Sequence, residues 1–113
     1  MITTEVILTC KENFKKQINS LRESNKYLHL CELSKEWEEL SYRNVLEALD
    51  LFEERLDLAK FVVNFKNKQF YLNNSNELSE IYNKLPGHSG YSFAVAMRRC
   101  QNLIKTEMNK KID

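Results

Sequence analysis

A chain of 113 residues with 42% hydrophobic and 29% charged residues is typical of a globular protein that forms one domain with its own core. We expect a single domain over residues 1–113 with long elements and short loops, because the chain has only two glycines and one proline. The longest apolar runs are about five residues, whereas a membrane span needs about twenty, and residues 1–10 lack the regions of a signal peptide. We therefore expect a cytoplasmic protein that does not associate with a membrane.

The net charge of +1 hides an uneven distribution along the chain. Residues 1–26 carry a net charge of +2, residues 27–58 a net charge of −6, and residues 59–113 a net charge of +5. An acidic middle between two basic ends makes the surface dipolar, and this influences which charged macromolecules the protein can bind.

The three cysteines, Cys10, Cys31 and Cys100, are odd in number and far apart in the sequence. This favours reduced, mostly buried thiols over a disulfide framework. A metal site would require these thiols to converge with His29 and His88, but none of the five has the paired two-residue spacing of zinc ligands. We therefore expect no bound metal and no cofactor.

The first predicted helix begins near Cys10, because residues 9–12 have the Thr-x-x-Glu pattern of a capping box, and it ends near residue 25. Residues 27–31 could form a short strand or the start of another helix, since so short a run does not separate the two periods. Ser34 is expected to cap a short helix that ends at Leu40.

The central predicted helix, roughly Ser41 to Leu58, is apolar on more than one side. Its apolar residues recur at spacings of three and four, which places them on one face, and further leucines widen that face. They are Val45, Leu49, Phe52, Leu56 and Ala59, with Leu46, Leu51 and Leu58 beside them. We therefore expect this helix to be the centre of the core, with neighbours on several flanks.

After this helix, β-branched and aromatic residues over positions 61–65 and 69–72, separated by Lys66-Asn67-Lys68, predict a β-hairpin. Ser75 can then cap a helix that Pro86 and Gly87 stop. A last amphipathic helix, from about Ser92, carries an apolar stripe and several basic residues.

This order of elements is similar to the winged-helix family over roughly residues 10–73. The resemblance is carried by Glu32-Leu33-Ser34 opening the second helix, by the third helix over Ser41 to Glu54 with its Val45-Leu46-Glu47-Ala48-Leu49 core, and by Phe61 to Leu72 as the wing. It implies a mainly α fold with one β-hairpin (α+β), in which two C-terminal helices follow a winged-helix-like core. The alternative is an all-α helical bundle in which residues 61–72 are helical or irregular.

The resemblance also implies a DNA-binding transcriptional regulator whose third helix enters the major groove. The matching side chains are Tyr42, Arg43, Asn44 and Glu47 for bases or phosphates, with Lys66 and Lys68 at the wing tip for phosphates. Against this function stand acidic residues further along the same helix, at Asp50, Glu53, Glu54 and Asp57, which would repel a phosphate backbone. We therefore favour the interpretation that these residues form a solvated helix face.

The hypothesis that we favour is a small non-enzymatic regulatory module that docks on a protein partner, as an adaptor, regulator or inhibitor of a larger complex. Large aromatic side chains dominate binding interfaces when they are exposed, and the basic last helix offers a surface for an acidic partner or for a homodimer. The candidate protein-binding residues are Trp37, Tyr42, Arg98, Arg99 and Lys105. No catalytic residues are expected.

The third hypothesis is a small enzyme that uses Cys100, with His88, or the loop over residues 87–90. It has little support, because Cys100 lies on the apolar stripe of its helix, where a thiol is usually inert. The loop also lacks the glycine patterns that bind nucleotides.

Overall fold

The computed structural model describes residues 1–71, 75–86 and 89–110, which form six α-helices and contain no β-strand. The helices are α1 (Thr4–Glu23), α2 (Asn25–Leu28), α3 (Glu32–Glu54), α4 (Leu56–Asn64), α5 (Asn76–Tyr82) and α6 (Gly90–Lys110). The predicted α+β fold class, with a hairpin on a winged-helix-like core, is therefore wrong. The alternative, an all-α helical bundle, is confirmed.

Three long helices, α1, α3 and α6, pack against one another around one cluster of buried side chains. Each contributes apolar residues at spacings of three and four, which lie on one helix face. These are Val6, Cys10, Phe14 and Ile18 in α1, Val45, Ala48, Leu49 and Phe52 in α3, and Phe93, Ala96, Met97, Cys100 and Ile104 in α6. Since α3 also contacts α4, the predicted core helix does have neighbours on several flanks.

The core helix is longer at its start and shorter at its end than the sequence predicted. Helix α3 begins at Glu32, so the predicted short helix and the central helix are one element, and Ser41 lies inside it. It ends at Glu54, because Arg55 leaves the helical region of backbone space with φ −124° and ψ 78°. The chain then turns directly into α4.

Helix α4 occupies the place of the first predicted strand. Leu58, Ala59, Val62 and Val63 are buried, and this spacing belongs to one face of a helix. Burial of these side chains against α6 favours the helix, whereas the β propensity of the segment favours a strand. The free energy of burial is the larger contribution, since the β-propensity scale spans only about 1 kcal/mol. Residues 65–71 contain no strand, and Leu72, the last residue of the predicted hairpin, lies outside the described residues.

The C-terminal end of α4 is capped by a side chain from α6. The Nε2 atom of Gln101 donates to the carbonyl oxygens of Val62 at 3.0 Å and Phe65 at 3.1 Å, and it lies 3.5 Å from that of Val63. The last carbonyls of a helix have no donor within the helix. The buried amide of Gln101 supplies one and thereby joins α4 to α6.

The other helix boundaries differ from prediction by a few residues. Helix α1 begins at Thr4, six residues before the predicted start, because the hydroxyl of Thr3 accepts from the amide of Val6. The ambiguous run that follows α1 is a helical turn, α2, and not a strand. Ser75 caps α5 as predicted, accepting from the amide of Leu78.

Candidate docking surfaces

The residues predicted to contact DNA from the core helix do not share one surface. Tyr42 and Asn44 are buried, whereas Arg43 and Glu47 are exposed. The ring of Tyr42 packs edge-on against Phe14 at 6.3 Å between centroids. Burial, followed by the nearby carboxylate of Glu38, raises the pKa of the Tyr42 phenol to about 12.

A signal for the burial of Tyr42 was present in the sequence. Tyr42 precedes Val45 by three residues and Leu49 by seven, so it continues the apolar stripe of α3 towards the N-terminus. Its hydroxyl reaches the edge of the core and donates to Glu38 at 3.2 Å. The same stripe therefore removes Tyr42 from the predicted protein-binding set as well as from the DNA-binding set.

The remaining predicted residues are separated in the structure. Lys68, Arg98 and Arg99 line a common groove, whereas Lys66 and Lys105 are exposed outside it. Trp37 lies on the N-terminal part of α3.

The groove is formed by the start of α6 and by residues 68–71, and we call it the basic aromatic groove. It has a volume of about 810 Å³. Tyr91, Ala94, Val95 and Arg98 share one face of α6, since they are spaced by three, four and seven residues, and this face forms one wall. The lining is Lys68, Gln69, Phe70, Tyr71, Gly90, Tyr91, Ala94, Val95, Arg98 and Arg99.

Arg98 holds the two walls of the groove together. Its guanidinium donates to the carbonyl oxygen of Lys68 and lies over the ring of Phe70, 5.8 Å from the centroid. Phe70 is buried and stacks on Phe65, with 4.6 Å between centroids. Arg98 therefore anchors the loop after α4 to α6, and the stacked rings hold the same loop against the end of α4.

The groove combines positive charge with exposed aromatic surface. Its lining contains three cations and no carboxylate. Two of its rings are open to solvent, with Tyr71 52% exposed and Tyr91 81% exposed. A concave apolar site with a few converging polar groups is the usual form of a binding site, and here those groups favour an anionic ligand.

Neither Phe70 nor Tyr91 was in the candidate protein-binding set predicted from the sequence, which was Trp37, Tyr42, Arg98, Arg99 and Lys105. The signal for Tyr91 was its spacing of seven residues from Arg98, which places both on one helix face. No comparable signal existed for Phe70, because it reaches the groove through a loop whose course depends on the tertiary fold.

A second surface is the first part of α3, residues 32–40, which we call the acidic arm. It contains four glutamates, one lysine and no buried residue. Leu33 is 63% exposed and Trp37 is 54% exposed. These two side chains are four residues apart and therefore form an apolar stripe on the helix surface.

The opposite side of the acidic arm is held by α1 and α2. Arg22 of α1 forms a two-pronged pair with Glu39, at 2.8 and 2.9 Å, and the hydroxyl of Tyr27 in α2 donates to the same carboxylate. The hydrogen bonds from Arg22 keep the pKa of Glu39 below its usual range. Around the helix axis, Trp37 is about half a turn and Leu33 about a third of a turn from Glu39, so both face away from these contacts.

The acidic arm and the basic aromatic groove are neighbours. Arg99, which lines the groove, donates to the hydroxyl of Ser41 at 2.9 Å. Ser41 follows Trp37 by four residues on the same side of α3. One flank of the molecule therefore carries an acidic surface with apolar side chains directly beside a basic surface with aromatic side chains.

The residues considered for catalysis have no catalytic geometry in the described parts of the chain. Cys100 is fully buried, and its thiol lies 4.0 Å from the carbonyl oxygen of Val45. Burial raises the pKa of Cys100 and raises that of Cys10 to about 11. Gly87 and His88, from the predicted loop site, lie outside the described residues.

Across residues 1–71, 75–86 and 89–110, no three His, Cys, Asp or Glu side chains converge as a metal site would require. Within the same ranges, no helix combines the length and the apolar character needed to cross a membrane.

Comparison with models of protein families, with curated proteins and with solved structures gave no match, so the resemblance to the winged-helix family stays a prediction.

Proposed function

We propose that this protein is a small non-enzymatic binding module that docks on a protein partner, as an adaptor, regulator or inhibitor of a larger complex. The observation that carries the proposal is the basic aromatic groove, which contains the predicted partner-binding residues Arg98 and Arg99. Tyrosine and arginine are the residue types most often found at the energetic centres of protein interfaces.

The chemistry of the groove determines what kind of partner segment it would accept. Three cations without a carboxylate favour an acidic segment. The open rings of Tyr71 and Tyr91 favour an apolar or aromatic side chain that can pack against them. We therefore expect the partner to present an acidic segment with at least one large apolar side chain.

DNA binding has weaker support than protein binding. Two of the four α3 side chains proposed to contact DNA, Tyr42 and Asn44, are buried, and the acidic arm continues the helix on which Arg43 lies. A surface with four glutamates in nine residues repels phosphates.

The test is a comparison of bound proteins after affinity purification of the tagged full chain from the cells that produce it. The variants are Tyr91→Ala and Arg98→Glu in the groove, and Lys105→Glu on α6 outside the groove. We expect a partner that the wild type and Lys105→Glu retain and that both groove variants lose. Titration of the purified partner should then give the same order of affinities.

Two results would refute this function. One is a partner that binds the groove variants as tightly as it binds the wild type. The other is a purified chain that shifts duplex DNA with an affinity that falls steeply with salt, since that dependence reports phosphate contacts.

A further inference from the structure

We propose that a second copy of this chain can occupy the basic aromatic groove, so that each chain of a symmetric dimer places its acidic arm in the groove of the other. This inference rests on the groove that we propose as the docking site and names one occupant for it. The partner described above has to carry an acidic segment with a large apolar side chain, and the acidic arm has that composition.

The charges of the two surfaces are complementary. The arm presents Glu36 beside its apolar stripe, three residues after Leu33, and this carboxylate is exposed. The groove presents Arg98 and Lys68 to solvent. A rigid acidic helix that enters this groove would exchange its hydration for contacts with these cations, which favours association and fixes its orientation.

The apolar parts of the two surfaces are complementary in the same way. Trp37 and Leu33 are more than half exposed and point away from α1 and α2. Tyr71 and Tyr91 line the groove together with the small side chains of Ala94 and Val95. Tryptophan and tyrosine are enriched at the energetic centres of interfaces, where such residues of one partner tend to pair with those of the other.

The position of the two surfaces explains why the contact forms between chains. The arm and the core part of α3 are one unbroken helix, so the arm cannot bend back into the groove of its own chain. The contact between Arg99 and Ser41 places both surfaces on one flank. When two such flanks meet across a two-fold axis, both arm-in-groove contacts form together, which gives a closed dimer.

This dimer would cover the groove that the protein partner needs. Self-association and partner binding therefore compete, and the concentration of the chain sets the fraction of free grooves.

The experiment measures the self-association of the purified full chain by sedimentation equilibrium from micromolar to millimolar concentration. The groove variant is Arg98→Glu and the arm variant is Glu36→Lys, with Lys105→Glu and Glu47→Lys as exposed controls on the same two helices. We expect a wild-type dimer whose dissociation constant rises about tenfold or more in each of the first two variants. The two controls should stay within about threefold of the wild type.

Charge reversal makes the test specific for the contact between arm and groove. A chain with both Arg98→Glu and Glu36→Lys restores opposite charges across the interface, so its dissociation constant should return towards the wild-type value. Because Arg98 also anchors the loop at Lys68 and Phe70, Tyr91→Ala and Trp37→Ala serve as second variants that leave this anchor intact. Each should weaken the dimer while the thermal unfolding curve stays that of the wild type.

Three results would overturn the inference: a wild-type chain that stays monomeric at millimolar concentration, a dimer that Tyr91→Ala and Trp37→Ala leave unchanged, or a double charge reversal no tighter than the single variants. The proposed function fails separately, because it concerns the loss of an outside partner from groove variants. A monomeric chain that still loses its partner on Arg98→Glu refutes the dimer and keeps the docking site.

Discussion

The side-chain amide of Gln101 in α6 donates to the carbonyl oxygen of Val62 in α4 at a distance of 3.0 Å. The same nitrogen donates to the carbonyl of Phe65 at 3.1 Å, so one buried polar group closes the end of a helix that carries four core residues. This cap lies where the sequence predicted the first strand of the hairpin, residues 61–65.

Replacement of Gln101 by Leu should lower the free energy of unfolding by about 1–3 kcal/mol, because buried carbonyl oxygens would lose their donor. Gln101→Glu should cost more, since a carboxylate would face those carbonyls. Urea denaturation followed by circular dichroism measures both changes. The neighbouring residue Asn102 is exposed, so Asn102→Leu should change stability by less than about 0.5 kcal/mol.

Two leucines of α3 should respond very differently to truncation. Leu49 is fully buried between the long helices, and Leu49→Ala should cost about 2–5 kcal/mol through lost burial and the cavity that remains. Leu33 lies on the acidic arm, and Leu33→Ala should change stability by less than about 0.5 kcal/mol. Thermal and urea unfolding of both variants measure the difference. A large destabilisation by Leu33→Ala would show that the arm is packed.

The three thiols should react with an alkylating reagent at very different rates in the folded protein. Cys31 is exposed at the start of α3, and a hydrogen bond with Ser34 lowers the pKa of its thiol. Cys10 and Cys100 are buried with raised pKa values. Iodoacetamide should therefore modify one thiol per folded chain, as mass spectrometry would show, and three per chain in denaturant.

Two substitutions check that assignment. Cys31→Ser should abolish modification of the folded chain. Ser34→Ala should move the pH midpoint of the reaction upwards, because the thiolate loses a hydrogen-bond donor. Equal modification rates for all three thiols in the native protein would contradict the burial of Cys10 and Cys100.

The pair of Arg22 and Glu39 predicts a pH dependence of stability. Because the folded-state pKa of Glu39 is lowered, its stabilisation is present at neutral pH and is lost as the pH falls through that pKa. The Glu39→Gln variant should therefore be less stable than the wild type near neutral pH, by about 0.2–1 kcal/mol for a surface pair, and this difference should shrink in acid. Urea denaturation at a series of pH values measures it. Glu47→Gln, on the exposed side of α3, is the control.

Many of the buried residues of the bundle could be predicted from the sequence, because the apolar residues on the buried face of a long helix recur at spacings of three and four. Val45, Leu49 and Phe52 in α3, and Ala96 and Cys100 in α6, are buried as this spacing indicates. Helix ends were less accurate, since Thr3 and Thr9 both offer capping side chains and only the packing of Val6 and Ile7 decides between them.

The predicted hairpin was wrong for a physical reason. Phe61, Val62 and Val63 have high β propensity, but propensity differences are small beside the burial of two or three apolar side chains. The sequence also contains a helical spacing over Leu58, Ala59, Val62 and Val63, and α6 supplies both a surface for that face and the amide that ends the helix. A contact 39 residues away could not be foreseen from local pattern.

The candidate docking surfaces were predictable in part from the sequence. The basic residues of α6 and the exposed Trp37 were identified from the sequence as candidates for partner binding, and the structure places Arg98 and Arg99 at one groove. The groove itself depends on how the loop after α4 folds back on α6. No spacing in the sequence indicates that the ring of Phe70 lies beneath the guanidinium of Arg98, which is far away along the chain.

The local stability of helix α3 against opening is lower at its N-terminal end than in the part that begins at Val45. From Val45 onwards one face of α3 is buried in the core, whereas residues 32–40 have no buried residue and are held by Glu39 at the side that faces α1 and α2. Amide hydrogens in the first turns should therefore exchange with deuterated water through local fraying, whereas those near Leu49 should exchange only through global unfolding. Local opening of these first turns therefore leaves the packing around Leu49 and the rest of the core intact.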